Sequence, residues 1–238
     1  MTIAEKLQTI AENEQKVFEA GKKSEYDKFW DSYQNFGNRT IGEHFASEAW
    51  NDITFKPKYS MGGGGSANSM FRNSKITDLQ AILEHQGVTF DFSACGSFAN
   101  MLQNSTITHI GEINTVSASA LTNIFYGATK LVTVDLLKIK SGSQTFSGAF
   151  QNCTSLSNIT IEGIIGKSMD IHWSTKLSRN SILSILQACK ISVSSITITL
   201  PIKCIDTNTD TLALIESDTE LNTAYNNALA LGYTITFA

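Results

Sequence analysis

Charge is scarce in this 238-residue chain, and charge of one sign nowhere collects. Eighteen Lys and Arg stand against 22 Asp and Glu, a net −4, and no stretch gathers the basic side chains that a phosphate backbone requires. The expectation is a chain with no nucleic-acid partner. No apolar run approaches the ~20 residues of a membrane-spanning helix. Met1-Thr2-Ile3-Ala4-Glu5-Lys6 lacks the basic-then-apolar pattern of an export signal. These absences predict synthesis in the cytoplasm, no signal peptide, no transmembrane segment and no membrane insertion. Cysteine is limited to Cys95, Cys153, Cys189 and Cys204, with no CxxC pair and no metal-ligand spacing. They read as small apolar thiols in a reducing compartment. His44, His85, His109 and His172 are isolated from one another, outside any zinc pattern. No metal and no cofactor is expected.

Catalytic motifs are missing as well. There is no Gly-x-Ser-x-Gly elbow, no dinucleotide fingerprint and no His-Glu-x-x-His. Glu43-His44 and Glu84-His85 are adjacent pairs, which point apart on a helix or a strand. Gly62 to Gly65 form a four-glycine run without a following Gly-Lys-Ser/Thr, which makes it a flexible joint and not a phosphate cradle. Asp91 and Asp135 flank strand positions, where folding could assemble a sugar-cleaving carboxylate pair. Catalysis needs perturbed polar clusters, however, and charge is thinnest where the sequence is most regular. The chain is expected not to be an enzyme.

What is present divides into three segments. Residues 1–58 hold 8 basic and 10 acidic side chains, so the charge the rest lacks is concentrated here. Ile3, Leu7, Ile10 and Val17 fall at helical spacing, and Tyr26, Phe29, Trp30 and Tyr33 form an aromatic stripe at i, i+3, i+4 and i+7. A hairpin of two short helices cannot bury such stripes alone. The stripes must pack on each other, on the body of the protein or on another chain, and the expectation is that residues 1–60 are a helical anchoring or oligomerisation segment acting through these eight side chains.

After the glycine joint the sequence repeats. Phe71-Arg-Asn-Ser74, Leu102-Gln-Asn-Ser105, Phe125-Tyr-Gly-Ala128 and Phe150-Gln-Asn-Cys153 each lead into aliphatics three residues apart. Spacings of 31, 23 and 25 residues between their first positions are near those of leucine-rich repeats. Phe98, Leu121 and Phe146 precede the repeats by four residues, which suggests one helical turn per repeat followed by a bend and a strand. A single such coil could not bury its apolar face; stacking makes the core continuous. Across residues 59–170, 34 of 112 residues are Ser, Thr or Asn, which gives a neutral hydrogen-bonding surface suited to carbohydrate or protein. Gln103, His109, Tyr126 and Gln151 are the candidate ligand-binding side chains.

The last segment reads as a small α/β unit. Ser178 can cap a helix bearing Ile182, Leu183, Ile185, Leu186 and Cys189, and Ile196, Ile198 and Leu200 alternate as a strand. Ser217-Asp-Thr-Glu220 resembles a capping box, Gly232 is placed to end the helix it opens, and Tyr233 to Phe237 reads as a strand. The expected fold class is α+β: a short β-solenoid over 66–176, an N-terminal helical hairpin over 1–60 and an α/β C-terminal cap over 177–238.

Phe125 to Val134 and Phe150 to Ile159 resemble the BspA-like class of leucine-rich repeats, Phe-x-Asn/Gly-Cys/Ala-x-x-Leu-x-x-Ile. Nearly the whole chain is similar to a group of phage structural proteins from gut Firmicutes prophages. The matching stretches are Glu25-Tyr26-Asp27-x-Phe29-Trp30-Asp31, Gly37 to Thr40, Trp50 to Tyr59, Ser141 to Phe146 and Asp170-Ile-His-Trp173-Ser174. The resemblance implies a virion protein of the tail or fibre with a recognition surface. Its implied partners are other virion proteins, met through the N-terminal helices, a host surface protein or glycan, and further copies of itself in a homo-oligomer. A purely structural role in virion assembly and a bacterial BspA-like surface interaction protein are the alternatives.

Overall fold

Two positions of each repeat decide the backbone, because Asn and Gly tolerate left-handed angles that other residues avoid. In the computed structural model, which describes residues 66–74, 77–78, 92–93 and 95–238, Asn73, Asn104, Gly127 and Asn152 all lie at positive φ, between +54° and +69°. Four residues earlier, Ser69, Asn100, Asn123 and Gly148 do the same. Each is the third residue of a tight turn: the Met101 N–H donates to the Phe98 carbonyl at 3.1 Å and the Ser105 N–H to the Leu102 carbonyl at 3.2 Å. The spacing of Phe98 and Leu102 thus reflects consecutive β-turns and not the expected helical turn. A left-handed residue at every fourth position prevents a helix from continuing.

Alternate N–H groups close these turns or leave them. Asn100, Leu102 and Asn104 donate to the carbonyls of Thr122, Ile124 and Tyr126 in the following repeat, at 2.8–3.0 Å. Leu121, Asn123, Phe125 and Gly127 donate likewise to Thr145, Ser147, Ala149 and Gln151. Ala67, Ser69, Phe71 and Asn73 reach Ser97, Ala99, Met101 and Gln103 in the same way. Side chains add a parallel ladder, with Asn104 Nδ2 on Asn73 Oδ1 at 3.3 Å and Asn123 Nδ2 on Asn100 Oδ1 at 3.2 Å. The two glycines continue these rows for a steric reason besides φ. A Cβ on Gly127 would collide with Asn104 Oδ1, and one on Gly148 with Asn123 Oδ1.

Beyond the turns, the aliphatics extend into strands β1 (His109–Asn114), β2 (Thr133–Lys138) and β3 (Asn158–Glu162), which form a parallel sheet in that order. Ile110, Val134 and Ile159 are in register and face the core. The register shifts between Val134 and Leu137 relative to β3, because β2 carries one extra residue there, a β-bulge. Inside, Phe125 and Phe150 stack with ring centroids 5.7 Å apart, and Phe71, Phe98, Ile107, Leu131 and Leu156 are likewise buried. The small position of the repeat (Ser74, Ser105, Ala128, Cys153) is buried throughout.

The sheet ends where a helix replaces the next strand. Ser178 occupies the position of Ser157 in the preceding repeat, donating its N–H to the Ser157 carbonyl at 2.7 Å, and its side chain caps α1 (Arg179–Gln187). One turn on, Ser181 Oγ accepts the Ile159 N–H at 2.9 Å and Ser184 Oγ accepts the Ile161 N–H at 2.8 Å. Two serines at i, i+3 thus satisfy the donors of the open β3 edge, which would otherwise invite another strand.

A second parallel sheet, β4 (Met169–Asp170), β5 (Ile196–Leu200) and β8 (Tyr233–Phe237), is connected through α1 and then through the antiparallel pair β6 (Lys203–Cys204) and β7 (Thr209–Asp210) with three further helices, one between β6 and β7 and two after β7. These are α2 (Ile205–Asn208), α3 (Thr211–Ser217) and α4 (Thr219–Ala230). Gly232, at φ +93°, follows the α4 C-cap as expected. The capping box does not form at Ser217. Asp218 is the N-cap, accepting the Glu220 and Leu221 N–H groups at 3.0 Å each, while Ser217 Oγ donates to the Leu214 carbonyl inside α3. Arg179 decides between them by forking onto Asp218 and Glu220, joining the starts of α1 and α4. The described residues therefore form a mixed helix-and-strand structure of small parallel and antiparallel sheets, with no closed barrel among them.

All four cysteines are free and buried. Burial pushes the Cys153 and Cys189 thiols up to about 12 and raises those of Cys95 and Cys204. The reactive species is the thiolate. The folded protein should therefore resist iodoacetamide at neutral pH, and mass spectrometry should find all four thiols modified only after denaturant is added. Rapid labelling of Cys153 in the native state would contradict this packing.

Candidate functional site

The four side chains singled out from the sequence fall into two groups. Gln103, Tyr126 and Gln151 occupy the same position of three consecutive repeats. Their carbonyls accept, in order, from Asn73, Asn104 and Gly127 at 2.8–2.9 Å. The backbone ladder holds the three in one row along the turn arm, and all three side chains are half-buried. A tyrosine between two glutamines offers one aromatic ring and two amides at positions fixed by main-chain bonds.

His109 belongs to the strand arm. It opens β1 and pairs across the sheet with Thr133 of β2, and on its other side forms a parallel bridge with Asp78. Its Nδ1 lies 3.1 Å from Asp78 Oδ2 and its Nε2 lies 3.0 Å from Asp135 Oδ2, so one imidazole ties three successive passes of the chain together. Both ring nitrogens can donate at once only in the imidazolium form. The Asp135 carboxylate raises the His109 pKa above its ordinary 6.5; partial burial opposes this and Asp78 reinforces it. With both nitrogens turned to carboxylates, the ring acts as a brace between neighbouring passes of the chain.

Asp135 is thus turned toward His109, while Asp91, its suggested carboxylate partner, lies outside the described residues. So do Ile3, Leu7, Ile10, Val17, Tyr26, Phe29, Trp30 and Tyr33 of the N-terminal stripes. Further along the strands, Lys138 Nζ meets Glu112 Oε1 at 2.5 Å, and Glu162 adds its field to the lysine. The outward sheet face therefore carries Asp78, Asp135, Glu112 and Glu162 against His109 and Lys138.

Sequence reading treated His109 as solitary, because its partners lie 31 residues before it and 26 after it. The repeat contained the missing signal: the step from Phe71 to Leu102 is the same as that from Asp78 to His109. A second site was overlooked. Asp170, at the end of β4, accepts both the His172 N–H at 3.1 Å and His172 Nδ1 at 2.6 Å, and the His172 ring packs on Trp173 with centroids 4.8 Å apart. Trp173 is 38% exposed.

The brace has a pH signature. A raised histidine pKa contributes stability that is fully present below the ordinary value and disappears as pH rises through the folded value. His109→Gln should lower Tm relative to the parent at about pH 5.5, with the difference shrinking toward about pH 9. A thermal-melt series across that range checks it, and a pH-independent difference would contradict the bridging geometry.

Among the described residues no helix is long and apolar enough to cross a membrane, and no three His, Cys, Asp or Glu side chains group to hold a metal ion. Comparison with family models, with curated proteins and with solved structures found no match.

Proposed function

We propose that this chain is a non-enzymatic bacteriophage virion protein of the tail or fibre, in which a short BspA-like leucine-rich-repeat solenoid presents a surface for attachment to the host cell. In this reading residues 66–176 form the solenoid and residues 177–238 its C-terminal cap. Residues 1–60 join the protein to other virion components and to further copies of itself. The observation that carries the reading is the ladder of alternating turn bonds, which spaces Gln103, Tyr126 and Gln151 evenly along one arm. A regular row of partly exposed aromatic and amide side chains suits repeated weak contacts with a host protein or glycan. An oligomer multiplies such contacts into avidity. The termination of the first sheet by the α1 serines supports the cap, since a stacked coil needs its last edge covered.

The test uses the full chain in its native oligomeric state, applied to purified envelopes of the phage's host. Saturable binding that weakens in a Tyr126→Ala, Gln151→Ala double variant is the expected result. A folded, oligomeric protein that ignores host envelopes would overturn attachment and favour a purely structural role in assembly.

A further inference from the structure

Among the described residues, the turn after β4 exposes apolar surface and hydrogen-bonding capacity in the same place. Trp173 is 38% exposed, although an indole ordinarily finds cover in a domain of this size. It is also held still. Its ring packs against His172 at a tilt of 37°, and His172 is fixed in turn by Asp170, whose Oδ1 takes both the His172 backbone N–H and Nδ1. Ser174 completes the anchoring: its Oγ is buried and donates to the Cys153 carbonyl of the preceding repeat at 3.2 Å. The turn therefore sits on the same arm as Gln151, one repeat further along.

Three groups in this turn have no protein partner among the described residues: Asp170 Oδ2, His172 Nε2 and the Trp173 indole N–H. The Asp170 side chain is 56% exposed, so its free oxygen is open to a ligand. A fixed, partly exposed indole beside an unspent carboxylate oxygen and two ring nitrogens matches the chemistry of a sugar. A pyranose has one face of C–H groups that lies on an aromatic ring and a rim of hydroxyls that donate and accept. The carboxylate also selects, since it would repel sialyl, uronyl or phosphoryl groups.

We infer that the Asp170–Ser174 turn is a saccharide subsite for neutral pyranosides, with Trp173 as the stacking platform and Asp170 as the acceptor for ring hydroxyls. The inference rests on the attachment reading and makes its ligand a glycan at this place. A single subsite of this size binds weakly, and an oligomer presenting several copies gains through avidity. The protein does nothing covalent to the sugar here.

The experiment applies the full-length chain to immobilised oligomers of glucose, galactose and N-acetylglucosamine, with sialylated oligomers alongside, and to host envelopes. Binding to at least one neutral series is expected, with about tenfold or greater weakening in Trp173→Ala and Asp170→Asn. Trp173→Phe should recover part of the loss because it keeps an aromatic face. Trp173 is only 38% exposed, so its Ala variant is assayed well below its own melting temperature, and Asp170→Asn, at a side chain 56% exposed, should melt with the parent, which separates lost binding from lost folding. In the 15N-labelled protein, the Trp173 indole N–H, assigned by its absence from Trp173→Phe, should shift on titration with the bound sugar. Envelope binding that survives Trp173→Ala and Asp170→Asn unchanged would overturn the subsite and leave attachment standing. Preference for the sialylated series would overturn the assigned role of Asp170. Failure to bind either envelopes or any glycan would overturn the attachment reading and the subsite with it.

Discussion

Phe125→Ala should lower the free energy of unfolding by about 3–5 kcal/mol. Phe125 is fully buried and lies against Phe150, so truncation empties the middle of the packed interior. The surrounding turns cannot collapse into the space, since alternate N–H groups on both sides are committed to the neighbouring repeat. Phe150→Ala should cost a similar amount. The double variant should cost less than the sum, because the second truncation opens into a cavity already made. Val132→Ala, at an exposed position, is the control and should change stability by about 0.5 kcal/mol or less. Urea titrations of the parent and the four variants measure all of this. A loss below about 1 kcal/mol for Phe125→Ala would mean that the repeats do not share one packed interior.

The next largest effect is expected at the sheet edge. Ser181→Ala and Ser184→Ala each leave a β3 N–H without its acceptor, at a cost of about 1–3 kcal/mol apiece. Ser181 is the more severe, since it is 2% exposed and also donates to the Ser157 carbonyl at 3.0 Å. Hydrogen exchange distinguishes this from general loosening. The Ile159 and Ile161 amides should lose protection in the respective variants, while the amides of β2 hold theirs until global unfolding. Ser181→Thr keeps the hydroxyl and should retain most of the protection. Uniform loss across all three strands would show that α1 merely packs on the sheet and does not terminate it.

How much of this was legible depended on whether the deciding interaction was local. The repeat showed in the sequence because Phe, Asn or Gly and a small residue recur at fixed offsets, and each answers to a steric demand within one turn. Ser178 and Gly232 were placed correctly for the same reason: caps act within four residues. The turn arm was misread as helical because the i, i+4 spacing of Phe98 and Leu102 fits either geometry. The left-handed Asn between them was the better guide. The capping box moved by one residue because Arg179, some forty positions away, selects Asp218. Helices α2 and α3 were missed because segments of 4 and 7 residues are too short to show a helical periodicity. Gln144 was missed as well. It looks like a surface residue, yet it is 1% exposed and its amide bonds the Thr115 and Ala118 carbonyls at 2.9 and 3.1 Å.

The site followed the same rule. Gln103, Tyr126 and Gln151 could be aligned by counting along the repeat, so their common row was recoverable. His109 was singled out, but its two carboxylates come from neighbouring passes of the chain. The pairing of His172 with Asp170 was within two residues and readable in principle; that it fixes an exposed Trp173 was not, because exposure depends on what the rest of the chain leaves uncovered.

The central claim is that the chain belongs to a virion and works at its surface. Mass spectrometry of density-banded particles, prepared from an induced culture of the source strain, tests it most directly. The account predicts peptides from this chain in the particle band, at a small fraction of the copy number of the major capsid protein, as a tail or fibre component requires. Clean, infectious particles without this chain would contradict it.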